Sequence, residues 1–162
     1  MVETYSKDGS YMRNRCRGTF IQAANRAEAI RPRLNDYGQY ADLQSLGPVQ
    51  EGIRVVIEYL EKAHAAAQSC IRRVASGDEA QKKCFDKIGE VVGNTVALWE
   101  EALEVSKKPN PDVSPTFVAV SLAIDAMEPH RNTVDAYFSA AGEFRLAKVR
   151  RVKSTGCNHG YL

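Results

Sequence analysis

The sequence predicts an all-α fold, a four-helix bundle of up-and-down topology, and three observations carry that expectation. Residues 45–76 hold one long apolar seam, proline- and glycine-rich breaks divide the rest of the chain into further helical periods, and strand signals are absent. A rod with one apolar side must be covered by other helices, and a bundle covers it.

Residues 1–10 are polar, include Gly9, and read as a flexible lead-in to a helical domain at 11–153. The first helix is expected over 11–34, where Met12, Cys16, Phe20, Ala23, Ala27 and Ile30 recur at steps of three and four. Pro32 should kink or stop it, because proline lacks the N–H and crowds the preceding turn. Residues 35–46, with Gly38 inside and Gly47 just beyond, read as the loop into the central helix. That helix places Val49, Ile53, Val56, Leu60, Ala63, Ala67, Cys70 and Val74 on one face. Pro48 suits a first turn and the Ser76-Gly77 pair a stop, giving a rod of roughly 45 Å.

Asp78 is a candidate N-cap for a third helix to Lys107, with Phe85, Ile88, Val92, Val96, Trp99 and Leu103 on its apolar face. Trp99, the single tryptophan, lies in register with that face and reads as a core anchor. Residues 107–115 contain three prolines and end the helix. Ser114 then offers an N-cap and Pro115 a first helical residue, followed by Phe117, Val118, Val120, Leu122, Ile124 and Met127. Pro129 should kink or split this last helix, since Val134, Phe138 and Ala141 resume the period. Residues 154–162 read as a flexible tail.

At 162 residues the chain has the size of one domain, and 44% hydrophobic with 26% charged residues is an ordinary globular composition. A formal charge of +2 does not by itself point to nucleic acid. No run approaches twenty apolar residues and the first fifteen lack a secretory core, so the expected setting is cytoplasmic, with membrane association through a basic segment described below. Cys16, Cys70, Cys84 and Cys157 are scattered without a C-x-x-C pair and read as small buried hydrophobes ahead of disulfides or metal ligands, with an exported form carrying one or two disulfides as the alternative.

Chemistry is thinly signalled. His64 and His130 read as structural histidines. Glu61 and His64 make one Glu-x-x-His spacing, but a di-iron bundle needs a second copy, which the sequence lacks. Cys157 and His159 are two potential ligands, too few for a zinc site. No nucleophile elbow, phosphate loop or dinucleotide fingerprint occurs, so no enzyme activity, cofactor or metal is expected. The cluster that stands out is Arg145, Lys148, Arg150, Arg151 and Lys153, five cations flanking a stripe of Leu146, Val149 and Val152. Against an anionic bilayer each cation contributes about 1 kcal/mol; the same group could neutralise nucleic-acid phosphates, or simply oppose a helix dipole. Arg13, Arg15 and Arg17 form a second basic cluster.

Three local patterns together resemble a known group. Asn14-Arg15-Cys16 opens the first helix, Leu60-Glu61-Lys62-Ala63 leads to Cys70 in the second, and Phe85-Asp86-Lys87-Ile88 opens a third that ends with Ala102-Leu103. Over residues 14–105 this is similar to the helical N-terminal domains of mixed-lineage-kinase-like pseudokinases, plant U-box ligases and HeLo-type cell-death proteins. Gly18 and Thr19 stand where that group tends to have leucine, and the stretch before Asn14 is shorter than its first helix. The resemblance implies a non-enzymatic adaptor that binds protein partners, self-associates or contacts acidic lipid, as the regulatory domain of a cell-death or signalling protein. The alternative is a structural assembly subunit, capsid- or coat-like, whose arginine-rich segments face nucleic acid.

Overall fold

A computed structural model of the chain describes residues 10–72, 77–108 and 112–140, all of them helical or in short connections. Five helices follow in order: α1 (Ser10–Glu28), α2 (Arg31–Tyr40), α3 (Leu43–Arg72), α4 (Glu79–Lys107) and α5 (Ser114–Ala140). The lead-in at 1–9, the basic segment at 145–153 and the tail at 154–162 lie outside the described residues.

The arrangement is the expected up-and-down bundle. Arg26 reaches Tyr59 and Ile30 packs on Gly52, so the chain ascends along α1 as it descends along α3. Gln50 bonds Ser106 across α3 and α4, and Trp99 meets Met127 across α4 and α5. Arg131 reaches Asn25, Arg31 reaches Asp125 and Gly38 packs on Phe117, which closes the ring between α5 and the start of the chain. α1 and α2 thus make one rod in two pieces, and together with α3, α4 and α5 they form four antiparallel sides.

The core follows the periodicity. Phe20, Ile53, Val56, Leu60, Phe85, Ile88, Val92, Trp99, Val120 and Ile124 are buried, with Trp99 fully enclosed and its indole N–H 3.3 Å from Met127 Sδ. Asp78 caps α4 as expected, accepting the Gln81 N–H, and Gly77 turns into it at φ 88°. A left-handed backbone there suits glycine, which has no Cβ to clash.

Several expectations are corrected. Residues 35–46 are not a loop: α2 continues to Tyr40, Ala41 terminates it in the left-handed conformation, and α3 starts at Leu43. The burial of Leu34 and Tyr37, one turn apart, holds this weakly helical sequence in place. The break in the first helix falls at Ala29–Ile30, a turn before the expected stop, and Pro32 serves as an early residue of α2. Pro48 consequently sits in the second turn of α3 rather than the first, and Asp42 caps that helix by accepting the Ser45 N–H at 2.8 Å. Asp112, not Ser114, accepts the first free N–H of α5. At Pro129 the helix is not split in two and runs to Ala140, with Thr133 Oγ1 donating to the Pro129 carbonyl at 3.0 Å.

Cysteine behaves differently from the sequence expectation. Cys70 is a buried thiol, but Cys84 is disulfide-bonded. A disulfide needs two Cα atoms within about 7 Å, a proximity that sequence spacing does not reveal. The side chains of Cys16 and Cys157 lie outside the described residues.

Candidate functional site

The surface departs from ordinary solvation at one end of the bundle, around α2. The sequence of α2, RPRLNDYGQY, has two inward residues and little else that is apolar, so the helix covers its neighbours only partly. Gly38 sits against Phe117 so closely that an added Cβ would lie 3.1 Å from the ring. That glycine lets α2 settle on α5, and shallow clefts remain on both sides of it.

The first cleft, about 610 Å³, runs between α2 and the start of α3. Arg33, Asp36 and Tyr40 line one wall, and Asp42, Pro48 and Glu51 the other. Hydrogen bonds from Ser45 Oγ and the Ser45 N–H hold the Asp42 carboxyl below the usual carboxylate range, so it stays ionised in neutral solution. The second cleft, about 420 Å³, lies between α2 and α5 and is walled by Gln39, Phe117 and Val118. A third opening at the tip of the bundle, about 630 Å³, is more polar and brings Lys107 and Lys108 near Asp42 and Leu43.

Exposed apolar side chains lie at the same end of the bundle. Tyr40 is 60% exposed, Leu43 84%, Val118 54% and Leu122 60%, and these are the large exposed hydrophobic residues among the described ones. Single exposed apolar residues are ordinary, but Tyr40, Val118 and Leu43 each line one of the three clefts, which makes this end the candidate surface. Val118 and Leu122 lie one turn apart on α5 and point away from the buried Val120 and Ile124. Apolar residues therefore line more than one face of α5, and a helix apolar on more than one face has more to cover than its own bundle provides.

Charge on this end is organised but not catalytic. Arg31 sits between Glu28 at 3.0 Å and Asp125 at 2.6 Å, and both carboxylates raise its pKa; the trio ties α2 to α1 and α5. At the opposite end of the ring, Tyr137 is fully buried and its hydroxyl finds no hydrogen-bond partner among the described residues.

The residues singled out from the sequence are dispersed. His64 is half-buried beside Gly93, and Glu61 is exposed one turn earlier. His130 is partly buried on α5, and that burial pushes its pKa below the usual histidine value. Among the described residues no three His, Cys, Asp or Glu side chains are placed to hold a metal ion. Arg145, Lys148, Arg150, Arg151 and Lys153 lie outside the described residues, as do the side chains of Arg13, Arg15 and Arg17. Sequence reasoning missed the α2 surface, because it treated that segment as a loop and counted Val118 and Leu122 with the core. Among the described residues no helix is long and apolar enough to cross a membrane.

Comparison with known proteins gives no match: no family model fits the chain, no curated protein is similar to it, and no solved structure is similar to it.

Proposed function

We propose that the chain is a non-enzymatic helical interaction and oligomerisation module, the regulatory domain of a cell-death or signalling protein, with acidic-lipid contact through its basic segment. The observation that carries this reading is the exposure of Tyr40, Leu43, Val118 and Leu122 at the α2 end of the bundle, the first three lining clefts open enough to receive a partner's side chains. The resemblance at residues 14–105 supports an adaptor role, and the five cations at 145–153 supply the electrostatic half of a lipid contact.

Light scattering and vesicle sedimentation test it. The purified chain should self-associate or pellet with anionic vesicles, with pelleting weakened by salt and by neutralising Arg150 and Arg151. Replacing Tyr40 and Leu43 by serine should reduce association without lowering the melting temperature, since both are exposed. Large particles that retain RNA would instead support the assembly-subunit alternative, and a chain that stays monomeric and ignores vesicles would sink the reading.

A further inference from the structure

The cleft between α2 and α3 and the basic segment are complementary in charge and in apolar pattern. We propose that residues 145–153 of one copy dock in the α2–α3 cleft of a second copy, joining chains head to tail. This rests on the interaction-module reading above and names its partner and both surfaces.

The cleft is acidic with an apolar floor. Asp36, Asp42 and Glu51 face it, with Arg33 in its lining and Arg54 3.5 Å from Glu51, while Tyr40 and Pro48 supply apolar surface and Leu43 stands exposed nearby. The segment has the opposite character, with Arg145, Lys148, Arg150, Arg151 and Lys153, no acid, and Leu146, Val149 and Val152 spaced by three. In a helical segment that stripe can lie on Tyr40 and Pro48 while the flanking cations meet the carboxylates.

For a helical segment, reach favours the cleft of another copy. The turn of α2 carrying Asp36 lies between Arg31, which meets Asp125, and Gly38, which meets Phe117. Ala140 is therefore about 30 Å farther along α5, at 1.5 Å per residue. Residues 141–144 span at most about 14 Å fully extended and a helical 145–153 adds about 13 Å, so only the far end of such a helix comes level with its own cleft and its stripe cannot lie along it. Each copy offers its cleft at one end and launches its segment from the other, which makes the contact heterologous and able to propagate.

The test uses a labelled peptide of residues 141–162 titrated with the full chain, and sedimentation velocity of full-length variants. The peptide should bind saturably, with affinity lowered about tenfold by D36K/E51K in the chain. The full-length D36K/E51K variant should sediment as a monomer with unchanged helical circular dichroism, and adding R145E/K148E/R150E/R151E to the same chain, which makes the segment net negative, should restore association by exchanging the charges. Peptide binding that is absent, or indifferent to D36K/E51K, overturns the inference, as does failure of the exchanged chain to associate. Association that survives D36K/E51K but is lost in V118S/L122S overturns the cleft as the site and leaves the module reading standing. A native chain that neither associates nor binds vesicles overturns both.

Discussion

Ile30 lies directly over Gly52, so closely that a Cβ on the glycine would stand 2.7 Å from Ile30 Cγ1. This contact joins the break between α1 and α2 to the middle of the seam helix. Replacing Gly52 by alanine sets a helix-propensity gain of about 1 kcal/mol against overpacking that costs about 1–3 kcal/mol. Ile30 Cγ1 is near its own backbone and cannot swing away, so G52A should destabilise the chain in urea titration. Gly89 meets nothing within 4 Å, and G89A should be stabilising by up to about 1 kcal/mol in the same assay.

The α4–α5 side depends on Trp99. W99A should cost about 3–5 kcal/mol, since the indole is wholly enclosed. Met127→Leu keeps the volume but removes the sulfur that accepts the indole N–H, and should cost about 1 kcal/mol. Chemical denaturation followed by circular dichroism separates the two.

Stability should fall on acidification in two windows. Burial lowers the His130 pKa from 6.5, so the unfolded chain takes up that proton first; the loss begins as pH drops below about 6.5 and is complete below the folded value. Asp42 and Asp112 are lowered from 3.8 by their bonds to Ser45 and Ser114, so their contribution is present above about 3.8 and vanishes as pH falls through their folded values. His130→Gln should flatten the first window and leave the second. Melting temperatures from pH 3 to 8 read both, in buffers that span the usual histidine and carboxylate ranges of about 6.5 and 4.

The disulfide at Cys84 should be visible as a reductant-dependent melting temperature. Reduction should cost about 2–5 kcal/mol in the native chain and nothing in Cys84→Ser, and a mass spectrum of unreduced peptides should identify the bridge. Because disulfides persist in oxidising compartments, the same measurement on protein taken from cells bears on the cytoplasmic setting expected from the sequence.

The seam from Val49 to Cys70, the Asp78 cap and the break before α5 were legible because each is written in local spacing or turn chemistry. The helix at Arg31–Tyr40 was not. Asn35, Asp36 and Gly38 argue against helix locally, and the packing of Leu34, Tyr37 and Phe117 that overrides them comes from residues far apart in the chain. The exposed surface was hidden for a related reason. Val118 and Leu122 carry the same apolar label as Val120 and Ile124, and only the positions of α2 and α4 decide which of them meets solvent. Cys84 was read correctly as buried and wrongly as a thiol, since burial follows from periodicity and bonding from proximity.

The two-piece first rod has a kinetic consequence. Helices shorter than about twelve residues are marginal in water, so α2, with ten, owes its order to Leu34, Tyr37 and the Arg31 trio rather than to itself. The α1–α2 break lets it detach without unwinding α1. Its amides should exchange with deuterium sooner than those at the centres of α3 and α4, and an occupant that bridges α2 to α3 should slow that exchange, so the end of the bundle proposed to bind is also the end whose opening can be timed.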